Sequence, residues 1–138
     1  MSFGSDNGTI WGTPTADMSS ATYTVTANNS AGSFSTSFQM QVMSAPSGLT
    51  YSPSSMTLEK GTTMTTNTPT YSGSAPSSWA INATLPSGLS FDTSSGAISG
   101  TPTVTQTTAK TYTITATNSH GSASVSYTHL TLPTMELV

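Results

Sequence analysis

Seven side chains in this sequence could move a proton or hold a metal: His120, His129, Asp6, Asp17, Glu59, Asp92 and Glu136. A histidine base needs an orienting partner within hydrogen-bond reach. His120 stands in the turn "NSHG", where a solvated ring is the plain expectation, and His129 lies near the C-terminal end. Calcium takes about six to eight oxygens, usually from several acids, and the acids here are scattered. Asp92, in the turn "FDTSSG", is the one weak calcium candidate, and its plainer role is to start that turn. Serine abounds, yet no G-x-S-x-G and no credible His–acid pair accompanies it. We therefore expect no catalytic residue, no bound cofactor and no enzyme activity.

Two other residue types can bind without reacting. Trp11 points outward by strand alternation, and an exposed indole can stack on sugar or anchor a partner. Asn7-Gly-Thr, Asn28-Asn-Ser and Asn82-Ala-Thr are glycosylation sequons. Roughly two residues in five are Ser or Thr, so of six Asn chance alone puts about two or three in sequons. The three sequons carry almost no information.

What must position these residues is read from composition and period. The 138 residues include no Cys, two Lys, no Arg and five acids, for a net charge of −3. That balance excludes the basic footprint of a nucleic-acid binder and a polybasic membrane contact. No apolar run is long enough to span a bilayer, and "MSFGSDNG" has neither region of a signal peptide. A Ser/Thr-rich chain can be a disordered stalk. Here, however, Thr alternates with apolar residues, as in "TYTVTA" and "TYTITA", which is the pattern of half-buried strands.

The chain also repeats itself. "MSFGSDNGTIWGTPT" from Met1 lies over "LSFDTSSGAISGTPT" from Leu89, and "TYTVTANNSAGS" from Thr22 lies over "TYTITATNSHGS" from Thr111. The shift is 88 and then 89, so one residue was gained in the intervening loop. Met1 falls where the second copy has Leu89, in mid-module. The expectation is the back half of one module over 1–43 and a second module over 44–124, its last strand reaching to about 130. Leu89, Phe91 and Ile98 form a hairpin, with Gly96 supplying a positive φ. Tyr112, Ile114 and Ala116 face inward, as do Tyr23, Val25 and Ala27, and Trp79 and Ile81 form another inward pair. In the first copy's last strand Phe34, Thr36, Phe38, Met40 and Val42 share one face. Without its front strands, that copy has no partner sheet. Residues 1–42 are then expected to be poorly ordered alone or to pair edge to edge with another chain.

The ordered strings "LPSGLSFDTSSGAISGTPT" and "TYTITATNSHGS" resemble the Putative Ig domain, a bacterial and archaeal Ig-like repeat related to cadherin-like modules. The stretch "APSGLTYSPSSMTLEKGTTMTTNTPTYSG" resembles that family's opening strands. The resemblance covers 1–42 and nearly all of 44–124. It implies an all-β fold, an Ig-like or cadherin-like β-sandwich in tandem. It further implies a non-enzymatic unit of a large secreted or cell-surface microbial protein, used as spacer, display or adhesion unit. Its partners would be neighbouring repeats of the parent chain and a surface glycan or protein, without nucleic acid and without membrane insertion. The alternative is a carbohydrate- or calcium-binding module. Cadherin-like relatives often carry Asp where this chain has Asn29 and Asn118, which counts against calcium.

The end of the chain reads differently. Ala123, Val125 and Tyr127 keep phase with Phe34, Thr36 and Phe38. Then His129 falls on inward Met40, Leu130 on outward Gln41 and Thr131 on inward Val42. A one-residue slip would flip every later side chain. "VSYTHLTLPT", Val125 to Thr134, resembles one reading frame of the transposase-end adaptor of short-read sequencing libraries, and "MELV" fits that frame's continuation. Residues 125–138 are thus expected to be a translated adaptor on a metagenomic fragment, to be set aside in fold reasoning.

Overall fold

Thr and Ser alternate with aromatic and aliphatic residues along the two longest strands of the second half, and the pleat sorts them. Tyr112, Ile114 and Ala116 are fully buried. On the opposite face, hydroxyls pair across strands: Thr115 with Ser124 at 2.8 Å and Thr111 with Thr128 at 2.8 Å. The computed structural model describes residues 1–133, and no helix occurs among them. The fold is all-β. The chain divides into two compact units, Met1–Ser44 and the chain from Ala45 onward.

In the second unit the strands are β5 (Ser47–Thr50), β6 (Ser55–Glu59), β7 (Thr70–Ser72), β8 (Ser78–Ile81), β9 (Leu89–Phe91), β10 (Ile98–Gly100), β11 (Gln106–Asn118) and β12 (Gly121–Leu132). One layer is a four-stranded sheet in the order β6-β12-β11-β8. Within it β11 pairs antiparallel with both β12 and β8, whereas β12 pairs with β6 in parallel. The β5–β7 pair and the β9–β10 hairpin supply the facing strands. Leu49, Tyr51, Leu58, Trp79 and Ile98 meet Tyr112, Ile114 and Tyr127 in one apolar core. Each large side chain buried there contributes about 1.5–3 kcal/mol. The turn between β9 and β10 forms as its residues dictate. The Gly96 amide donates to the Asp92 carbonyl at 2.7 Å, with Gly96 at φ 73°. A side chain at Gly96 would also drive into the Trp79 ring.

β12 keeps its own alternation through residues 125–132, although its ladder with β11 shifts register between the Lys110–His129 and Gln106–Thr131 pairs. Pairing on both sides, Tyr127 with Tyr112 and Thr131 with Leu58, holds its phase. The polar residues at inward positions are therefore carried into the core: His129 and Thr131 are fully buried. Of the segment read as adaptor, residues 134–138 lie outside the described residues.

The first unit contains β1 (Ser2–Phe3), β2 (Ile10–Trp11), β3 (Met18–Asn29) and β4 (Gly32–Val42). These form two antiparallel pairs, β1–β2 and β3–β4. They occupy the repeat positions of β9 to β12, and residues 1–44 contain no strand at the positions of β5 to β8. Phe34, expected on the inward face, is 78 % exposed. Alternation decides which face a residue takes, and burial needs something opposite that face.

Candidate functional site

Asp92 is held by its own turn. One carboxylate oxygen accepts from the Ser94 amide at 2.8 Å and from the Ser94 hydroxyl at 2.6 Å, and the other accepts from the Ser95 hydroxyl at 2.8 Å. The Ser94 hydroxyl, then its amide, then the Ser95 hydroxyl hold the carboxyl down at about 2. Among the described residues no group of three or more His, Asp or Glu side chains is placed to hold a metal.

Trp11 is about half exposed and pairs with Ser2 across the first hairpin. Its ring lies over Gly4, the position that is Asp92 in the other copy. A side chain at Gly4 would meet the Asn7 side chain and the indole edge. The indole thus covers its own turn with one edge and leaves the rest of the ring open.

The three sequon asparagines have different surroundings. The Asn7 side-chain oxygen accepts from the Thr9 amide at 3.0 Å. Asn28 is exposed near the end of β3, opposite Ser33. The Asn82 side-chain oxygen accepts from the Thr113 amide at 2.9 Å, extending the β8–β11 ladder by one step. Asn118 spends its oxygen on the His120 amide at 2.8 Å, and its nitrogen donates to the Ser74 carbonyl at 3.3 Å. That asparagine is a structural plug, and His120 is exposed beside it.

Sequence reasoning did not anticipate a buried polar cluster. The His129 ring stacks on Tyr112 at 5.2 Å and 3° between planes, and tilts against Tyr127 at 6.1 Å. Among the described residues, neither ring nitrogen of His129 has a hydrogen-bond partner, nor do the hydroxyls of Tyr112, Tyr127 and Thr131. Burial, with a smaller push from Lys110, lowers the His129 pKa. Burial raises Tyr127 to about 12. The warning signal was there in sequence: a His and a Thr at repeat positions that hold Met40 and Val42 in the other copy.

The first unit's uncovered face forms an open groove of about 610 Å³, lined by Phe3, Ile10, Tyr23, Val25, Phe38 and Met40 among others. Tyr23 and Phe38 stack across it at 5.8 Å.

A family model described as Putative Ig domain matches residues 1–43 and again 45–131. No curated protein matches the chain. Among solved structures, the chain is similar to the N-terminal four Ig domains of Dscam1 isoform 1.9. The TM-score is 0.58 at 16 % identity, over 95 % of this chain and 36 % of that one. A titin I-band fragment, I67–I69, aligns at TM-score 0.47 and 24 % identity, over 83 % of this chain and 42 % of that one. The insect immune protein hemolin aligns at TM-score 0.45 and 25 % identity, over 83 % of this chain and 29 % of that one. The chain thus spans about a third of the Dscam1 structure, and the likeness is one of fold.

Proposed function

The chain belongs to the Putative Ig domain family, and from that premise we propose that it is a non-enzymatic Ig-like repeat of a large secreted or cell-surface microbial protein, serving as spacer, display or adhesion unit. Its partners are neighbouring repeats of the parent chain and a surface glycan or protein. The observation that carries the spacer reading is the same family model matched twice in tandem, over residues 1–43 and 45–131; in the second copy the edge of the sheet is a parallel ladder between β6 and β12, from Ser55–Thr128 to Glu59–Leu132, whose β12 side lies in the segment read from sequence as adaptor. Backbone bonds flank it, Thr128 amide to Ser54 carbonyl at 3.0 Å and Lys60 amide to Leu132 carbonyl at 2.9 Å. The chain enters the module through β5 and β6 and leaves it from β12. Tension along the chain then pulls two parallel neighbours in opposite directions. The ladder is sheared as a whole and resists together, whereas a hairpin pulled at its open end loses one pair at a time.

Single-molecule stretching tests this. The second unit should extend in one abrupt step releasing the length of residues 45–131. Gradual lengthening without a force peak would remove the mechanical reading. Surface display is checked separately, by antibody labelling of intact source cells. A second reading, carbohydrate binding, is favoured by one observation, the half-exposed Trp11 ring. A glycan screen in which binding disappears with Trp11→Ala would establish it.

A further inference from the structure

We propose that the head of β11, residues 106–111, is built to refuse strand addition, so that the second unit does not pair edge to edge with another copy of itself. This goes beyond the spacer reading and does not depend on it. On one side β11 carries β8, but only as far back as the Ile114–Ile81 pair. Asn82 adds one further step. Its amide donates to the Thr113 carbonyl at 3.0 Å, and its side-chain oxygen accepts from the Thr113 amide at 2.9 Å. Before Thr113, β12 is the one strand paired with β11 among the described residues. Backbone groups alternate sides along an antiparallel strand, so Thr111 is the next residue facing that open side. Such an edge is a template for another chain. Repeats of one sequence raise the hazard, since each neighbour offers a like strand at high effective concentration.

Four features work against that pairing. First, β11 bulges between Gln106 and Lys110, where Thr107, Thr108 and Ala109 all oppose Leu130. The first unit bulges at the same repeat position, where Ser19 and Ser20 oppose Gln41. The bulge is thus a property of both copies, and the residue gained between them lies inside it and not in the loop before it. A bulge bends the strand and leaves its extra residues out of the ladder. Second, the Gln106 side-chain nitrogen donates to the Thr108 carbonyl at 3.1 Å, occupying an acceptor that an incoming strand could use. Third, Lys110 stands in phase with inward Tyr112, with its ammonium 5.0 Å from the centre of that ring. A strand added at Thr111 would have to desolvate this charge beside its own inward side chains, which is costly. Fourth, the Asn82 side chain already takes the Thr113 amide.

The test is residue-resolved hydrogen exchange on the full chain at micromolar and at millimolar concentration. In the unmodified chain the Thr111 amide should exchange at the same rate at both. A variant with Thr107 and Thr108 deleted and with Lys110→Val and Asn82→Ala has a straight, uncharged, uncapped edge. Its Thr111 and Thr113 amides should slow by about 10-fold or more at the higher concentration. Protection at residues 114–117 reports that the variant is folded. If the deletion prevents folding, the two substitutions alone are measured, and slowing in the same direction is expected. The proposal is overturned if Thr111 of the unmodified chain already slows with concentration. It is equally overturned if the folded variant shows no concentration dependence at Thr111 and Thr113, including the case in which slowing is confined to residues 22–42.

Discussion

A histidine whose two ring nitrogens find no partner among the described residues, stacked on one tyrosine and tilted on another, is pushed toward its neutral form by burial. Folding lowers the pKa of His129 below its ordinary value of 6.5. Its contribution is therefore intact above about pH 6.5 and lost as pH falls toward the folded pKa, because the unfolded chain takes up the proton first. Urea melts should show stability dropping below about pH 6.5, and His129→Met should flatten that limb. His129→Met and Thr131→Val restore the residue types of Met40 and Val42. Each removes a buried polar group that costs about 1–3 kcal/mol unpaired, so each is expected to raise stability by about 1–2 kcal/mol. A loss from both would mean that the cluster contributes in a way its geometry does not show. Asp92 gives the opposite case, an exposed carboxylate whose pKa the Ser94 and Ser95 donors depress. It supports the turn above about pH 3.8 and releases it as pH falls toward about 2. Because both its oxygens are engaged, millimolar calcium is expected to leave the melting midpoint unchanged. A rise abolished by EDTA would make Asp92 a ligand.

At the scale of the element, the β9–β10 turn couples backbone conformation to core packing. Gly8 and Gly96 have the same positive φ, 72° and 73°, but only Gly96 has an aromatic ring against it. Gly8→Ala should cost about 1–2 kcal/mol of strain, read as loss of order in the first hairpin. Gly96→Ala adds displacement of Trp79, about 1–3 kcal/mol more, read from the denaturation midpoint of the second unit. The sequence carried the hairpins, the inward set of β11 and the position of Trp79, because period and turn chemistry are local. It carried the phase of Phe34 and of His129 but not the outcome at each, exposure for one and full burial for the other. Phe34 alternates inward, but its exposure depends on a sheet that residues 1–44 do not contain. His129 looked like the end of the pattern, yet the unbroken ladder with β6 holds the strand in phase against its own side chains. Site residues followed the same rule. Asp92 as a turn residue was legible from "FDTSSG", and the unpartnered inner face of residues 1–42 was legible from the alignment of the two copies.

At the scale of the whole molecule, two copies of one design differ in how much of their apolar surface is covered. Hydrogen exchange on the unmodified chain should separate into two classes. Amides at Thr22–Ala27 are expected to exchange at least about 100-fold faster than those at Thr111–Ala116, since local opening costs less where fewer apolar contacts are lost. Equal rates would mean that something covers the first unit in solution. The position of β12 has a further consequence, in the time order of synthesis. A ribosome makes β6, β8 and β11 before β12, yet β12 is the strand that lies between β6 and β11. While translation is still short of Leu132, the nascent chain carries β6 with its sheet partner unmade. The second module therefore closes its sheet only after its last strand has been translated, and a ribosome paused within Gly121–Leu132 would hold a chain with Leu58 emerged and still open to chaperones.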